Sequence, residues 1–197
     1  MKKQEIHPWN WFAPENSKTL IIGTFPPTKR NWKYDFFYPN TANLFWRILA
    51  KIADIELQCN LGEEAVIERK KILKIVAVAI TDMGRVILRN DNSSLDENLE
   101  IVEYMDIFQI LDEYPEITTI ICTSSSGKVS AMRWLTDYLK AKNVACKFPQ
   151  GKKPLKTEIN YNKKIIKIVI AYSSSARASN RISFAELVAI YQKEIIH

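Results

Sequence analysis

Two patterns of apolar residues alternate along the chain. Short runs with little polar interruption occur at Lys18-Thr-Leu-Ile-Ile-Gly23, Ile75-Val-Ala-Val-Ala-Ile80, Ile117-Thr-Thr-Ile-Ile-Cys122 and Lys163 to Ala171. Their brevity and β-branched content predict buried strands, the first ended by Gly23 and then by Pro26 and Pro27, which cannot continue a ladder. Between these runs apolar residues recur at spacings of three and four. Leu44, Phe45, Ile48, Leu49 and Ile52 predict an amphipathic helix from Thr41, capped by Asn40 or Thr41. Glu63 to Lys74 is rich in strong helix formers, and Glu103 to Glu113 suits a helix ended near Pro115. Gly127 to Lys140 has helical spacing through Val129, Met132, Leu135 and Leu139, and Ser183 to Ile195 is a closing amphipathic helix.

Strands alternating with helices imply a parallel or mostly parallel sheet with helices on both faces, where ligands bind at the carboxyl ends of the strands. Three loops gather at that edge: Gly23 to Asn43, Thr123 to Lys128 and Ser173 to Arg177. The segment Lys142 to Asn162 reads as a surface excursion, so residues 1–197 are expected to form one domain, with no internal repeat.

Composition narrows the partner. The 197 residues suffice to bury roughly two-thirds of the unfolded surface, and 47% hydrophobic with 25% charged residues is an ordinary globular mixture. A net charge of +6 favours a polyanion, nucleic acid above all, if the positive side chains collect on one face. MKKQEIHPWNWF has no apolar core of signal length and no run could span a membrane, so a cytoplasmic protein without a membrane partner is expected. Cys59, Cys122 and Cys146 are odd in number and far apart, which argues against a disulfide framework or a cysteine metal site.

The loop Cys122-Thr-Ser-Ser-Ser-Gly127-Lys128-Val129 invites comparison with the phosphate-binding pattern G-x-x-x-x-G-K-[ST]. Cys122 replaces the first glycine and Val129 the magnesium-binding hydroxyl, which disfavours nucleotide hydrolysis. A helix N-terminus holding one phosphate, or a plain serine cap, remains. Ser173-Ser174-Ser175-Ala176-Arg177 presents small donors and a cation, but the histidines are His7 and His197 only, and a Ser-His-Asp hydrolase is disfavoured. The stretch GTFPPTKRNWKYDFFYPNTANLFW, residues 23–46, is the most informative. Its rings could cover the sheet's end as core. Rings with flanking prolines and an asparagine at a helix start also suit a planar aromatic ligand such as a flipped nucleobase.

Gly23-Thr-Phe-Pro-Pro27 followed by Phe37-Tyr-Pro-Asn-Thr-Ala-Asn43-Leu-Phe-Trp46 resembles the first motif region of the uracil-DNA glycosylase superfamily, most closely its hypoxanthine-DNA and mismatch-specific uracil-DNA glycosylase branches. Ile80-Thr-Asp82 and Ser93-Ser-Leu-Asp-Glu-Asn98 look like the family's apolar-to-Asp and "GSLD" segments. Ser124-Ser-Ser-Gly-Lys128 is similar to its "NGK" turn, and Ser173-Ser-Ser175 corresponds to its "PSTSP" loop. These likenesses span roughly residues 18–190 in the family's order.

The resemblance implies a three-layer α/β/α sandwich with a short, mainly parallel central sheet. It implies a monofunctional enzyme of base excision repair that flips a deaminated base, hypoxanthine or uracil, out of DNA and hydrolyses its N-glycosidic bond without metal or organic cofactor, acting as a monomer. Gly23 and Thr24 would form the pocket's backbone rim, and Tyr38 or Phe37 the stacking platform. Asn43 would recognise the base and stabilise it as it leaves. Phe25 stands where many members place a polar group to position water, and Asp82 could orient that water. Ser173, Ser174 and Ser175 would grip phosphates with Arg177 beside them, and Ser124, Ser126 and Lys128 are expected to meet DNA. A non-catalytic nucleic-acid-binding member of the fold is the alternative, and a nucleotide-binding enzyme using the Ser124 to Lys128 turn the third reading.

Overall fold

The computed structural model describes residues 2–175 and 182–195. The strands run β1 (Lys2–Ile6), β2 (Thr19–Gly23), β3 (Val78–Asp82), β4 (Gly84–Asn90), β5 (Leu99–Tyr104), β6 (Thr119–Cys122), β7 (Leu155–Tyr161) and β8 (Lys164–Ile170). The helices are α1 (Phe45–Ile52), α2 (Gly62–Ile75), α3 (Ile107–Glu113), α4 (Ala131–Ala141) and α5 (Phe184–Ile195). A five-stranded sheet has the order β3-β2-β6-β8-β7, and a three-stranded sheet the order β1-β4-β5. In the larger sheet β3, β2, β6 and β8 pair in parallel, and β7 adds to β8 antiparallel.

Successive side chains of a strand point to opposite faces, and the core divides accordingly. Leu20, Ile22, Ile120, Ile168 and Ile170 face a cluster completed by Ile107 and Ile110 of α3 and Leu135 and Leu139 of α4. Ile21, Ile121 and Val169 face another, completed by Phe45, Ile48 and Leu49 of α1, Ile72 and Leu73 of α2, and Leu187 and Tyr191 of α5. Burial on both faces explains why these strands read as unbroken apolar runs. Each fully buried side chain of this kind contributes about 1.5–3 kcal/mol relative to exposure.

Several element boundaries differ from the sequence expectation. The first helix begins at Phe45 instead of Thr41, and neither Asn40 nor Thr41 caps it: Asn43 Oδ1 accepts from the Phe45 N–H at 2.9 Å, while Asn40 Oδ1 accepts from Ala42 N–H within the preceding turn. The run from Ile75 divides, because α2 continues to Ile75 and the strand starts only at Val78, after Ala77 at φ 54°. Glu103 and Tyr104 close β5, and Asp106 caps α3 by accepting from Phe108 and Gln109 N–H. Helix α4 starts at Ala131, capped by Ser130, so Gly127 and Lys128 lie in an open loop. The expected excursion from Lys142 contains the edge strand β7.

The smaller sheet was not anticipated. Its outer strands KKQEI and LEIVEY are largely exposed, so they carry no apolar run to betray them. After Asp82 the chain leaves the large sheet within two residues and enters β4, which pairs with β1 from Lys2↔Asn90 to Ile6↔Val86. That turn brings the N-terminal strand to the carboxyl edge of the parallel sheet.

Candidate active site

The parallel registers align Gly23 with Asp82, and Ile22 with Cys122, which in turn aligns with Ile170. The loops after β2, β3, β6 and β8 therefore leave from one edge. At its centre the β2 backbone approaches Asp82 so closely that a Cβ on Gly23 would lie 2.1 Å from Asp82 Oδ1 and 3.0 Å from the Tyr38 hydroxyl. Only glycine permits that approach.

Tyr38 sits in the left-handed region at φ 49°, uncommon for a bulky residue. Three contacts hold it there. Its ring stacks on Phe45 with centroids 3.9 Å apart, its hydroxyl lies 2.8 Å from Thr123 Oγ1, and its carbonyl accepts from the Tyr34 hydroxyl at 2.6 Å. Thr123 donates to the Ile22 carbonyl, so the Tyr38 hydroxyl is the donor in its own bond. Burial, then the charge of Asp82, raise that phenol well above its ordinary value, with the Thr123 bond opposing.

Asp82 has a partner from far away in sequence. Its Oδ2 lies 3.0 Å from His7 Nε2, and His7 Nδ1 lies 2.6 Å from the Trp9 carbonyl. His7 is buried, with Phe25 and Phe37 against its ring at 5.2 and 5.7 Å.

A second acidic group enters from the Ser93–Asn98 segment. Asp96 opens a single 3-10 turn. Thr24 Oγ1 is also 3.2 Å from Ser124 Oγ. Burial pushes the Asp96 carboxyl up to about 6, with the Thr24 hydroxyl working against it, the charge of Asp82 adding to it and that of Arg89 opposing it. The segment is pinned on both flanks. Ser94 Oγ lies 2.7 Å from Thr28 Oγ1 and accepts from Asn31 Nδ2 at 2.7 Å. Arg89, fully buried on β4, donates to the Ser93 carbonyl, the Pro26 carbonyl and Glu5 at 2.7, 2.8 and 3.0 Å.

Asn43 is tied to Phe45, the ring on which Tyr38 stacks. Because its Oδ1 accepts from Phe45 N–H, the amide orientation is fixed and its NH2 finds no acceptor among the described residues. Capping and ligand recognition are therefore compatible uses of one side chain. Next to it, the Leu44 N–H donates to the Ser174 carbonyl at 2.9 Å, which draws the last loop to the site.

Gly23, Thr24, Tyr38, Asp82 and Ser124 thus converge, while Asn43 and the Ser173–Ser175 loop meet through Leu44 at the start of α1. Other expectations need correction. Phe37 is sealed by His7, Trp9 and Phe36 and offers no face for stacking. Phe25 packs between His7 and the Arg89 guanidinium, so it shapes the site and cannot hold water. Ser174 is buried, which keeps its hydroxyl from a phosphate, whereas Ser173 and Ser175 stay partly exposed. Ser124 accepts from the Ala131 N–H at 2.9 Å and serves the helix start, while Ser126 and Lys128 are exposed. Arg177 lies outside the described residues.

Three residues were missed. His7 and Arg89 have no spacing that ties them to Gly23 or Asp82. Asp96 stood within a recognised motif without an assigned role. A cavity of about 440 Å³ lies against the outer side of Phe25–Pro27, bordered by Lys3, Ile6, Lys29, Arg30 and Trp32, and is not lined by Tyr38 or Asn43.

No family model matches the chain, and no curated protein matches it by sequence. A solved structure does. It is the solution NMR structure of a "putative Uracil DNA glycosylase" from Methanosarcina acetivorans, 20% identical, with a TM-score of 0.56 and 98% of each chain covered. The two folds are alike. That likeness speaks to architecture alone. Among the described residues no helix is long and apolar enough to cross a membrane.

Proposed function

We propose that the protein is a monofunctional DNA glycosylase that flips a deaminated base, hypoxanthine or uracil, out of DNA and hydrolyses its N-glycosidic bond. On this reading residues 1–197 form a single domain, a three-layer α/β/α sandwich of the hypoxanthine-type or mismatch-specific branch, acting as a cytoplasmic monomer. The observation that carries the proposal is the Asn43 carboxamide, oriented through its oxygen with both N–H donors left for a ligand. As the bond breaks, the base gains negative charge on its carbonyl oxygen, and a pre-oriented N–H donor stabilises that charge more than the neutral ground state. Tyr38, partly exposed and stacked on Phe45, would supply the ring on which the base stacks. The fold likeness to a protein described as a uracil DNA glycosylase supports the same class.

The test uses duplex oligonucleotides carrying one uracil, one hypoxanthine or one mismatched thymine, incubated with the protein and then treated with alkali. Strand breaks at uracil or hypoxanthine are expected, and Asn43→Ala should slow release about 10²–10³-fold. Salt-sensitive binding with no release from any lesion would favour the non-catalytic nucleic-acid-binding reading instead.

A further inference from the structure

The cavity of about 440 Å³ against Phe25–Pro27 takes no part in the chemistry assigned so far, and its volume falls within the ~300–1,000 Å³ usual for ligand sites. Its lining joins an indole to a surplus of positive charge. The charged residues that border it are Lys3, Glu5, Lys29 and Arg30, and Glu5 is already held by the buried Arg89 at 3.0 Å. Among the described residues Lys3, Lys29 and Arg30 make no ion pair, so their charge is left for an anion. We propose that this cleft is a second nucleotide site, which takes an unpaired base of a DNA strand on Trp32 and the adjoining phosphates on Lys3, Lys29 and Arg30. The proposal rests on the nucleic-acid partner of the reading above and not on its chemistry.

The indole is held in place before any ligand arrives. Its N–H donates to the Pro27 carbonyl at 2.8 Å, and the Trp9 ring lies against it with centroids 4.9 Å apart. Trp9 is bonded in turn through its own indole to Asp35 at 2.9 Å. A partly exposed ring fixed in this way loses little conformational freedom when a base stacks on it. Lys29 and Arg30 come from a single 3-10 turn, Lys29–Asn31, anchored by the Asn31 amide, which donates to Ser94 Oγ at 2.7 Å. Lys29 Nζ stands 5.9 Å from the Trp32 ring centroid, so ring and cation are placed to meet the base and the phosphate of one nucleotide.

The ring decides between a single strand and a duplex. Phosphates alone would need only the cations, whereas an indole in a cleft can stack only on a base that has left the helix. The cleft also shares a wall with the edge described above. Phe25 lines it and packs on His7, the partner of Asp82, with centroids 5.2 Å apart.

Fluorescence anisotropy of labelled, undamaged DNA tests this, with a single strand of about 16 nucleotides set beside the blunt duplex made from it. Trp32→Ala should weaken single-strand binding about 5- to 100-fold and leave duplex binding within about twofold of wild type. Trp32→Phe keeps a ring and should keep most of the affinity. Arg30→Ala alters an exposed side chain and still reads the cleft if loss of the indole disturbs the turn; it should lower the salt slope of single-strand binding by about 0.7. A Trp32→Ala variant that binds the single strand as wild type does, or that loses strand and duplex equally, overturns the assignment, and so does an unchanged slope in Arg30→Ala. Thymidine monophosphate that competes as well as the strand would make the cleft a mononucleotide site and overturn it too. Because this DNA carries no lesion, the result is independent of base release: a protein without glycosylase activity can pass the test, and an active one can fail it.

Discussion

A carboxylate kept largely out of water at Asp96 has a consequence for stability. Its folded value of about 6 lies above the ~3.9 of an unfolded aspartate, so between those pH values the folded chain binds more protons. Stability therefore falls as pH rises through that window, and the favourable term is fully present only below it. Asp96→Asn imitates the protonated form, and should stabilise the fold at pH 7.5 by about 1–2 kcal/mol after allowing for partial exposure, with the gain gone near pH 4. Urea unfolding at the two pH values measures it; a variant less stable than wild type at pH 7.5 would contradict the environment assigned to Asp96. At this scale the sequence disclosed residues that carry a motif, such as Gly23, Asn43 and Asp82. It could not separate Phe37 from Tyr38, because adjacent rings in an aromatic loop look alike until one is packed against His7 and the other against Phe45.

The elements are joined by Arg89. One buried guanidinium ties β4 to the turn after β2, to the Ser93 segment and to β1 through Glu5. Arg89→Met keeps the volume and loses every donor, leaving two carbonyls and Glu5 without their partner. It should cost about 2–4 kcal/mol of stability and slow base release by loosening the turn after β2 and the Ser93 segment. Chemical unfolding read beside single-turnover rates checks this, and a variant of unchanged stability would show that the staple is dispensable. The four parallel strands were legible because burial on both faces writes them as apolar runs. β1 and β5 were not, since their mostly exposed residues make a polar pattern that only pairing with β4 organises. Helix starts moved toward the C-terminus at Phe45 and Ala131, where the capping side chain, Asn43 or Ser130, follows turn residues that spacing alone counts as helix, and at Ile107, where Glu103 and Tyr104 belong to β5 and Asp106 caps the helix after it.

Across the whole molecule, the net charge of +6 becomes useful only where it is placed. Lys29, Arg30 and Lys128 are exposed on loops that leave the carboxyl edge of the sheet. If they meet phosphates, each should contribute about 0.9 to the slope of log K against log salt, and Arg30→Ala and Lys128→Ala should each reduce it by that amount. Fluorescence titrations of labelled duplex between 50 and 300 mM salt would measure the slopes; an unchanged slope in both variants would place the DNA on another surface. The pairing of His7 with Asp82 also has a bearing on how the molecule comes together. The two residues are 75 positions apart, and among the described residues the strand that delivers His7 pairs with β4 alone. Closing so long a loop is entropically costly and slow compared with forming a local turn. The closed His7–Asp82 pair is thus a property of the fully folded topology, absent from any intermediate that has built only the parallel sheet.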